Sequence, residues 1–144
     1  MIKIICVGKV KEKYLKDGIN DYLKRLTKYH KIEIIEINDS NMEDEAKEII
    51  RHINSKDYVI TLEIEGNMVS SKELSNLIDK IFITNSSIDF IIGGSEGLSN
   101  SVKNISNYKL SFSKLTFPHQ LFRFLLLEQI YRTFKILNNE SYHK

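Results

Sequence analysis

Side chains able to do chemistry are few in this chain and concentrate near its end. His119 and Arg123 stand four residues apart, so a helix across them would carry both on one face. The chain closes on Tyr142-His143-Lys144, a phenol, an imidazole and an ammonium in succession. Metal chemistry has little to work with. His30, His52, His119 and His143 are scattered without ligand spacing, and Cys6 is the one cysteine, so no zinc site is expected. There is no Gly-x-Ser-x-Gly nucleophile elbow. Gly93-Gly94-Ser95-Glu96-Gly97 lacks both the Gly-x-Gly-x-x-Gly spacing and the Lys-Ser/Thr of a phosphate loop. On its own it stays open between a plain strand-to-helix turn and a ligand loop, and a lone His119 at a helix start reads as structural.

The elements that must position these residues follow from periodicity. Ile2 to Val7 is a continuous apolar run, as in a strand covered on both faces. Tyr14, Leu15, Ile19, Tyr22, Leu23 and Leu26 recur at helical spacing. Ile32 to Ile37 predicts a second strand, and Asn41 can cap a helix with the stripe Met42, Ala46, Ile49, Ile50, Ile53. Tyr58 to Ile64 is a third strand. Ser70 and Glu73 have capping-box spacing ahead of Leu74, Leu77, Ile78 and Ile81. Ile88 to Ile92 is a fourth strand, a short helix is expected from Ser99 to Ile105, and Tyr108 to Phe112 is a fifth strand. The chain's one proline, Pro118, suits the first turn of a last helix running to about Leu137. That helix is apolar on nearly all sides, so part of its surface is expected to meet another subunit. Its polar exit, Asn138 to Ser141, reads as a loose linker.

Strands and helices alternate throughout, which predicts an α/β class with a mostly parallel sheet flanked by helices, in one domain spanning 1–144. Ligands of such sheets bind at the carboxyl ends of strands. Here those ends are Leu62 to Gly66, Gly93 to Gly97, and Phe112 to Phe117. No apolar run is long enough for a membrane span. The first residues lack the basic start and small-residue cleavage site of a targeting segment. A single cysteine cannot form an intrachain disulfide and fits a reducing cytoplasm. Net charge is +2 but uneven, with +6 over residues 1–31, −7 over 32–65 and +3 over 66–144. A basic start beside an acidic middle is compatible with a polyanionic partner on one side, and equally with an ordinary solvated surface.

The combination is more specific than its parts. I-I-G-G-S-E-G-L from Ile91, then Y-K-L-S-F-S-K-L-T-F-P-H-Q-L-F-R-F-L-L-L-E-Q-I-Y-R from Tyr108, then the terminal Y-H-K, resembles the RlmH family of small SPOUT-class methyltransferases. The resemblance covers essentially the whole chain, including Val7-Gly8-Lys9 and T-L-E-I-E-G at Thr61 to Gly66. It implies an enzyme that uses S-adenosylmethionine to methylate N3 of a pseudouridine in large-subunit ribosomal RNA. It also implies a C-terminal trefoil knot, which periodicity could not have predicted, and a homodimer acting in the cytoplasm on an assembled ribosomal surface, without metal or membrane. Cofactor contacts would fall on Leu62, Gly93, Gly94, Phe112, Ser113, Lys114, Leu115, Thr116 and Phe117. Tyr142 and His143 would approach the cofactor of the partner subunit. His143 would be the base, since imidazole ionises near neutrality. Tyr142 would stack on or hydrogen-bond the target base, and Arg123 would stabilise charge on its carbonyl oxygens, unless Arg123 and His119 instead anchor the terminal tail. RNA phosphates would meet Lys9, Lys11, Lys13 and Arg25. The pattern departs from the family before the tail, where Asn138 to Ser141 replaces an expected glycine and proline. Lys144 stands where some relatives carry arginine. Two other readings stand beside this one, a non-catalytic α/β RNA-binding assembly factor and a flavodoxin-like nucleotide switch. The second would need a phosphate loop after the first strand, where Val7-Gly8-Lys9-Val10 is too sparse.

Overall fold

The apolar runs pair side by side. In the computed structural model, which describes residues 1–144, strands β1 (Ile2–Val7), β2 (Ile32–Ile37), β3 (Tyr58–Met68), β4 (Ile88–Ile92) and β5 (Tyr108–Ser111) form one sheet. Its order is β2-β1-β4-β3-β5, and every neighbouring pair is parallel. All residues of β1 and β4 are buried, as expected of inner strands covered on both faces. The period-two alternation of β1 feeds two separate cores. Ile2, Ile4 and Cys6 join the core made with α1 (Lys13–Leu26), α3 (Ser71–Thr84) and α5 (His119–Leu137). Ile5 and Val7 join the smaller one made with α2 (Met42–Arg51) and α4 (Asn100–Asn104). Cys6 is packing material, and burial pushes its thiol up to about 11.

The caps form as the spacing demands. Asn41 accepts from the Asp44 N–H at 2.9 Å, and Ser70 with Glu73 closes a full capping box. Pro118 sits one position earlier than expected, outside α5, and its carbonyl accepts the first helical bond from Phe122 N–H at 2.9 Å. Its missing N–H costs nothing at either place. Two strand limits differ from the sequence reading. β5 stops at Ser111, while β3 runs on to Met68 through an irregularity. Leu62 and Asn67 both pair with Leu110, so Glu63 to Gly66 loop out of the ladder between them. Gly66 permits this, because a Cβ there would stand 2.7 Å from the Lys109 carbonyl oxygen.

α5 packs across α1 and α3 and is less exposed than its composition suggests. Phe124 lies against Gly18, where a Cβ would meet its ring at 2.6 Å, and its centroid is 5.7 Å from Tyr22. No large apolar side chain of α5 is exposed, although Leu121, Phe122, Phe124 and Leu125 are only half-buried.

The amino ends of the strands carry a buried charge cluster. Lys3 Nζ donates to the His52 carbonyl at 2.7 Å and contacts Asp57 at 2.8 Å and Asp89 at 3.6 Å. One cation cannot neutralise two buried carboxylates. Burial, then the neighbouring Asp57, pushes Asp89 up to about 8, while Asp57 is held low by hydrogen bonds from Asp89 and Lys3 against its own burial. Neither Asp89 oxygen receives a hydrogen bond, which disfavours its ionised form; protonated, it can donate to Asp57. Between its ordinary value of 3.8 and about 8, the folded chain holds a proton that the unfolded chain has released. Stability therefore falls as pH rises through that window. Asp89→Asn should remove this decline and gain about 1–3 kcal/mol at the upper end, which urea titrations at several pH values would measure.

Candidate active site

The carboxyl ends of β3, β4 and β5 surround a cleft of about 610 Å³, within the range of small-molecule sites. Its apolar wall includes Leu62, Ile92, Leu98, Leu110, Phe112 and Phe117. Phe122 and His119 close one side from the start of α5. Phe122 ties the last loop down, with its ring 4.8 Å from Phe112 and 6.1 Å from Phe117. The loop's own bonds are short-range. Ser111 Oγ donates to the Ser113 carbonyl at 3.2 Å, and Ser113 Oγ accepts from Leu115 N–H at 3.0 Å. From Ser113 to Phe117, no other backbone N–H is engaged within the chain. A site with apolar walls and free loop amides can sandwich an adenine and hydrogen-bond its edge and a carboxylate. The residues present therefore fit S-adenosylmethionine.

Of the expected cofactor contacts, Leu62, Gly93, Gly94, Phe112, Ser113, Leu115, Thr116 and Phe117 line this cleft. Lys114 does not; it is exposed and points its charge to water. Glu63 and Ile64, inside the strand end Leu62 to Gly66 that the sequence marks for ligands, line it as well, at an irregularity in β3 that no periodicity announces. Gly93 is required for a reason different from ligand approach. A Cβ there would stand 2.7 Å from both the carbonyl carbon and oxygen of Gly97, so the loop's two arms touch through backbone. Gly97 itself needs its φ of 80°.

Arg123 is elsewhere. Its side chain is 2% exposed, with Nη1 donating to Glu36 Oε2 at 2.6 Å and Nη2 to the Gly8 carbonyl at 3.0 Å. It pins α5 to the carboxyl ends of β1 and β2 and does not face the cleft. Charge stabilisation on a substrate is therefore not what its position offers, because its Nη1 and Nη2 contacts hold the guanidinium inside the protein, with Nε buried and unpartnered. His119, one turn earlier, does line the cleft.

The tail is ordered by contacts the sequence reading did not foresee. Asn138 Nδ2 donates to the Phe134 carbonyl at 2.7 Å, and Asn139 takes φ 54°, supplying the left-handed turn expected of a glycine. Glu140 then accepts from Tyr29 at 2.7 Å and Lys135 at 3.2 Å. The linker is thus tied down. Tyr142 lies edge-on to Tyr131 at 4.9 Å, with the Arg132 guanidinium over its ring at 4.9 Å. Its hydroxyl meets Tyr22 at 3.0 Å and donates to Glu128 at 3.4 Å. Burial, then Tyr22 and Glu128, pushes the phenol up, so Tyr142 stays a donor. Glu128 pairs with Arg132, whose Nη1 lies 2.9 Å from His143 Nδ1. Glu128 and Arg132 are the residues that sequence reasoning missed. Their one signal was a carboxylate four residues before an arginine on an otherwise apolar helix.

Two substitutions test this geometry. Gly93→Ala should weaken S-adenosylmethionine binding roughly tenfold or more with unchanged far-ultraviolet circular dichroism, read by calorimetry. Arg123→Met should cost about 1–3 kcal/mol in urea denaturation, since it leaves the Gly8 carbonyl unpaired while Glu36, 39% exposed, can be hydrated.

Comparison with known proteins agrees with this architecture. The family described as "Predicted SPOUT methyltransferase" matches residues 1–143. "Ribosomal RNA large subunit methyltransferase H" of Clostridium acetobutylicum is 50% identical, and that of Clostridium botulinum strain Okra 52%, each with 99% of both chains covered. Among solved structures, a probable methylase family protein from Haemophilus influenzae superposes with a TM-score of 0.59 at 14% identity. That match covers 99% of this chain and 70% of the other, and it speaks to the fold alone. With a family match along nearly its whole length and relatives identical at half their positions, the chain belongs to the RlmH family of SPOUT methyltransferases.

Proposed function

We propose that this protein methylates N3 of a pseudouridine in large-subunit ribosomal RNA, using S-adenosylmethionine, as a homodimer whose two clefts are each completed by the partner's tail. One observation carries the composite part of this reading. Tyr142 and His143 are docked at Glu128 and Arg132, whereas the cleft meets α5 at His119 and Phe122. At 1.5 Å per residue, Phe122 and Glu128 are about 9 Å apart along the helix axis, and His119 and Arg132 about 20 Å. A tail folded back on its own helix therefore does not reach its own cleft. The half-buried outer face of α5 offers a second copy its contact surface. The names of the full-length relatives support ribosomal RNA as the substrate class. The knot implied by the family would thread the segment from β5 into α5, the same stretch whose loop walls the cleft.

When bound, the cofactor supplies a methyl already activated on a sulfonium, and the protein's share is positioning. The loop from Phe112 to Phe117 and the turn from Gly93 to Gly97 would hold it by backbone, and the phenylalanines would exclude water. Exposed Lys9 and Lys11 have no carboxylate partner and lie near the start of α5, where Lys11 N–H donates to Gln120 at 3.1 Å. They would meet phosphate, whereas Lys13 and Arg25 are partly neutralised by Asp17 and Asp21.

The test is complementation between chains. A chain lacking residues 142–144 keeps its cleft and should bind cofactor yet not methylate. A Gly93→Val chain keeps its tail but loses its cleft. Heterodimers purified from the two should form 3-methylpseudouridine in unmethylated ribosomes, detected by nucleoside mass spectrometry, at about half the wild-type rate, one site in two being complete. Inactive heterodimers would overturn the shared site, and a fully active truncated homodimer would remove the tail from the reaction.

A further inference from the structure

The contact between Arg132 and His143 bears on the proton the tail carries. An arginine side chain has five N–H donors and no acceptor, and it keeps its charge at any working pH. Its Nη1 lies 2.9 Å from His143 Nδ1, so that nitrogen must present a lone pair. A neutral imidazole accepting on Nδ1 carries its hydrogen on Nε2. The guanidinium is not free to turn away. Glu128 Oε1 takes Arg132 Nε at 2.9 Å and also Nη2, and the Tyr142 ring lies under the group at 4.9 Å. Glu128 is fixed in turn, since its other oxygen accepts from Gln129 at 3.0 Å and Gln129 accepts from Ser71 at 2.7 Å. Only Nη1 remains to meet the imidazole, and His143 is otherwise exposed.

We propose that Arg132, braced by Glu128, holds His143 as the tautomer protonated on Nε2, so that the tail meets the target base as an N–H donor to a ring carbonyl oxygen and not as the base that removes its proton. The proposal rests on the reading of the tail as part of the partner's site. Arg132 is a positioning residue in it. An imide nitrogen is flanked by carbonyl oxygens, and losing its hydrogen places negative charge on them. A pre-aimed N–H there stabilises the anion. The N–H bond breaks with its pair kept on nitrogen, and that pair would form the bond to the methyl as the methyl's bond to the sulfonium breaks with its own pair left on sulfur. The proton goes to water, since the Nδ1 lone pair of His143 is engaged and its Nε2 already holds hydrogen.

Two measurements on the full-length chain test this. In protein labelled with ¹⁵N in histidine, with His143 assigned by its loss in His143→Gln, long-range proton–nitrogen correlations report the tautomer without any substrate. The wild type should show hydrogen on Nε2 at pH 7.5, and Arg132→Met should show a mixture, with Arg132→Lys partly restoring the wild-type pattern. Hydrogen on Nδ1, or on both nitrogens, in the wild type would overturn the proposal. In methylation assays, His143→Gln keeps an amide N–H near the Nε2 position but has no basicity. It should retain kcat within about tenfold, while His143→Ala loses about a hundredfold or more. Gln as inactive as Ala would return His143 to the role of base and overturn the donor assignment. Full activity after deletion of residues 142–144 would instead sink the reading of the tail on which the proposal rests, and the donor role with it.

Discussion

The setting of α5 is the constraint on which both the cleft and the docked tail depend, and a single buried guanidinium does much to determine it. Arg123 reaches from the helix to the Gly8 carbonyl and Glu36, at the carboxyl ends of β1 and β2. Within the turn before it, Phe122 and His119 wall the cleft; about one and a half to two and a half turns after it, Glu128 and Arg132 hold the tail. A helix packed by apolar contacts alone can slide or rotate among similar packings, because such contacts have little directionality. A forked donor between a carbonyl and a carboxylate has one geometry. Phe124 in the space over Gly18 adds a steric stop on the same stretch of helix.

The sheet divides its labour between its two ends. At the amino ends, Lys3, Asp57 and Asp89 form a buried charge cluster. At the carboxyl ends the backbone is left open, with loop amides unengaged and with glycines wherever two segments of main chain touch. Gly66 against Lys109 and Gly93 against Gly97 serve the same purpose, drawing loops together so that the space between them has a fixed shape. The cleft is thus built from backbone positions more than from particular side chains. That suits a ligand whose reactive group is already activated, for which the protein has to supply shape and alignment.

Much of this fold was legible in the residues, since buried inner strands and capped helices write their signals locally. The runs Ile2 to Val7 and Ile88 to Ile92, the Asn41 cap and the Ser70–Glu73 box are complete within a few residues of sequence. Most of the features that escaped join distant segments. Glu63 lines the cleft only because β3 slips against β5, and Lys114 leaves it only because the loop's exposed edge faces water. Asn139 takes a left-handed conformation that glycine most often supplies, one that amide side chains tolerate but that composition does not announce. Arg123 and Arg132 illustrate the limit most clearly. Both are arginines on one helix, and nothing local says that the first is spent on Gly8 and Glu36 while the second faces the tail.

The distance between the two halves of the site then has a consequence for assembly. Within one chain, α5 separates the cleft residues Phe122 and His119 from the tail contacts at Glu128 and Arg132 by roughly two to three helical turns, and Glu140, Tyr29 and Lys135 lock the returning segment to its own helix. Bringing the tail to its own cleft would mean breaking those contacts and the Tyr142 cluster with Tyr22, Tyr131 and Glu128. In the proposed dimer nothing has to break. A two-fold axis that pairs α5 with its copy places the later turns of one helix beside the earlier turns of the other, so the tail stays docked where it is and faces a foreign cleft. The interactions that order the tail in the single chain would then be the ones that pre-organise it for the partner, and ordering cost already met on folding is not met again on binding RNA.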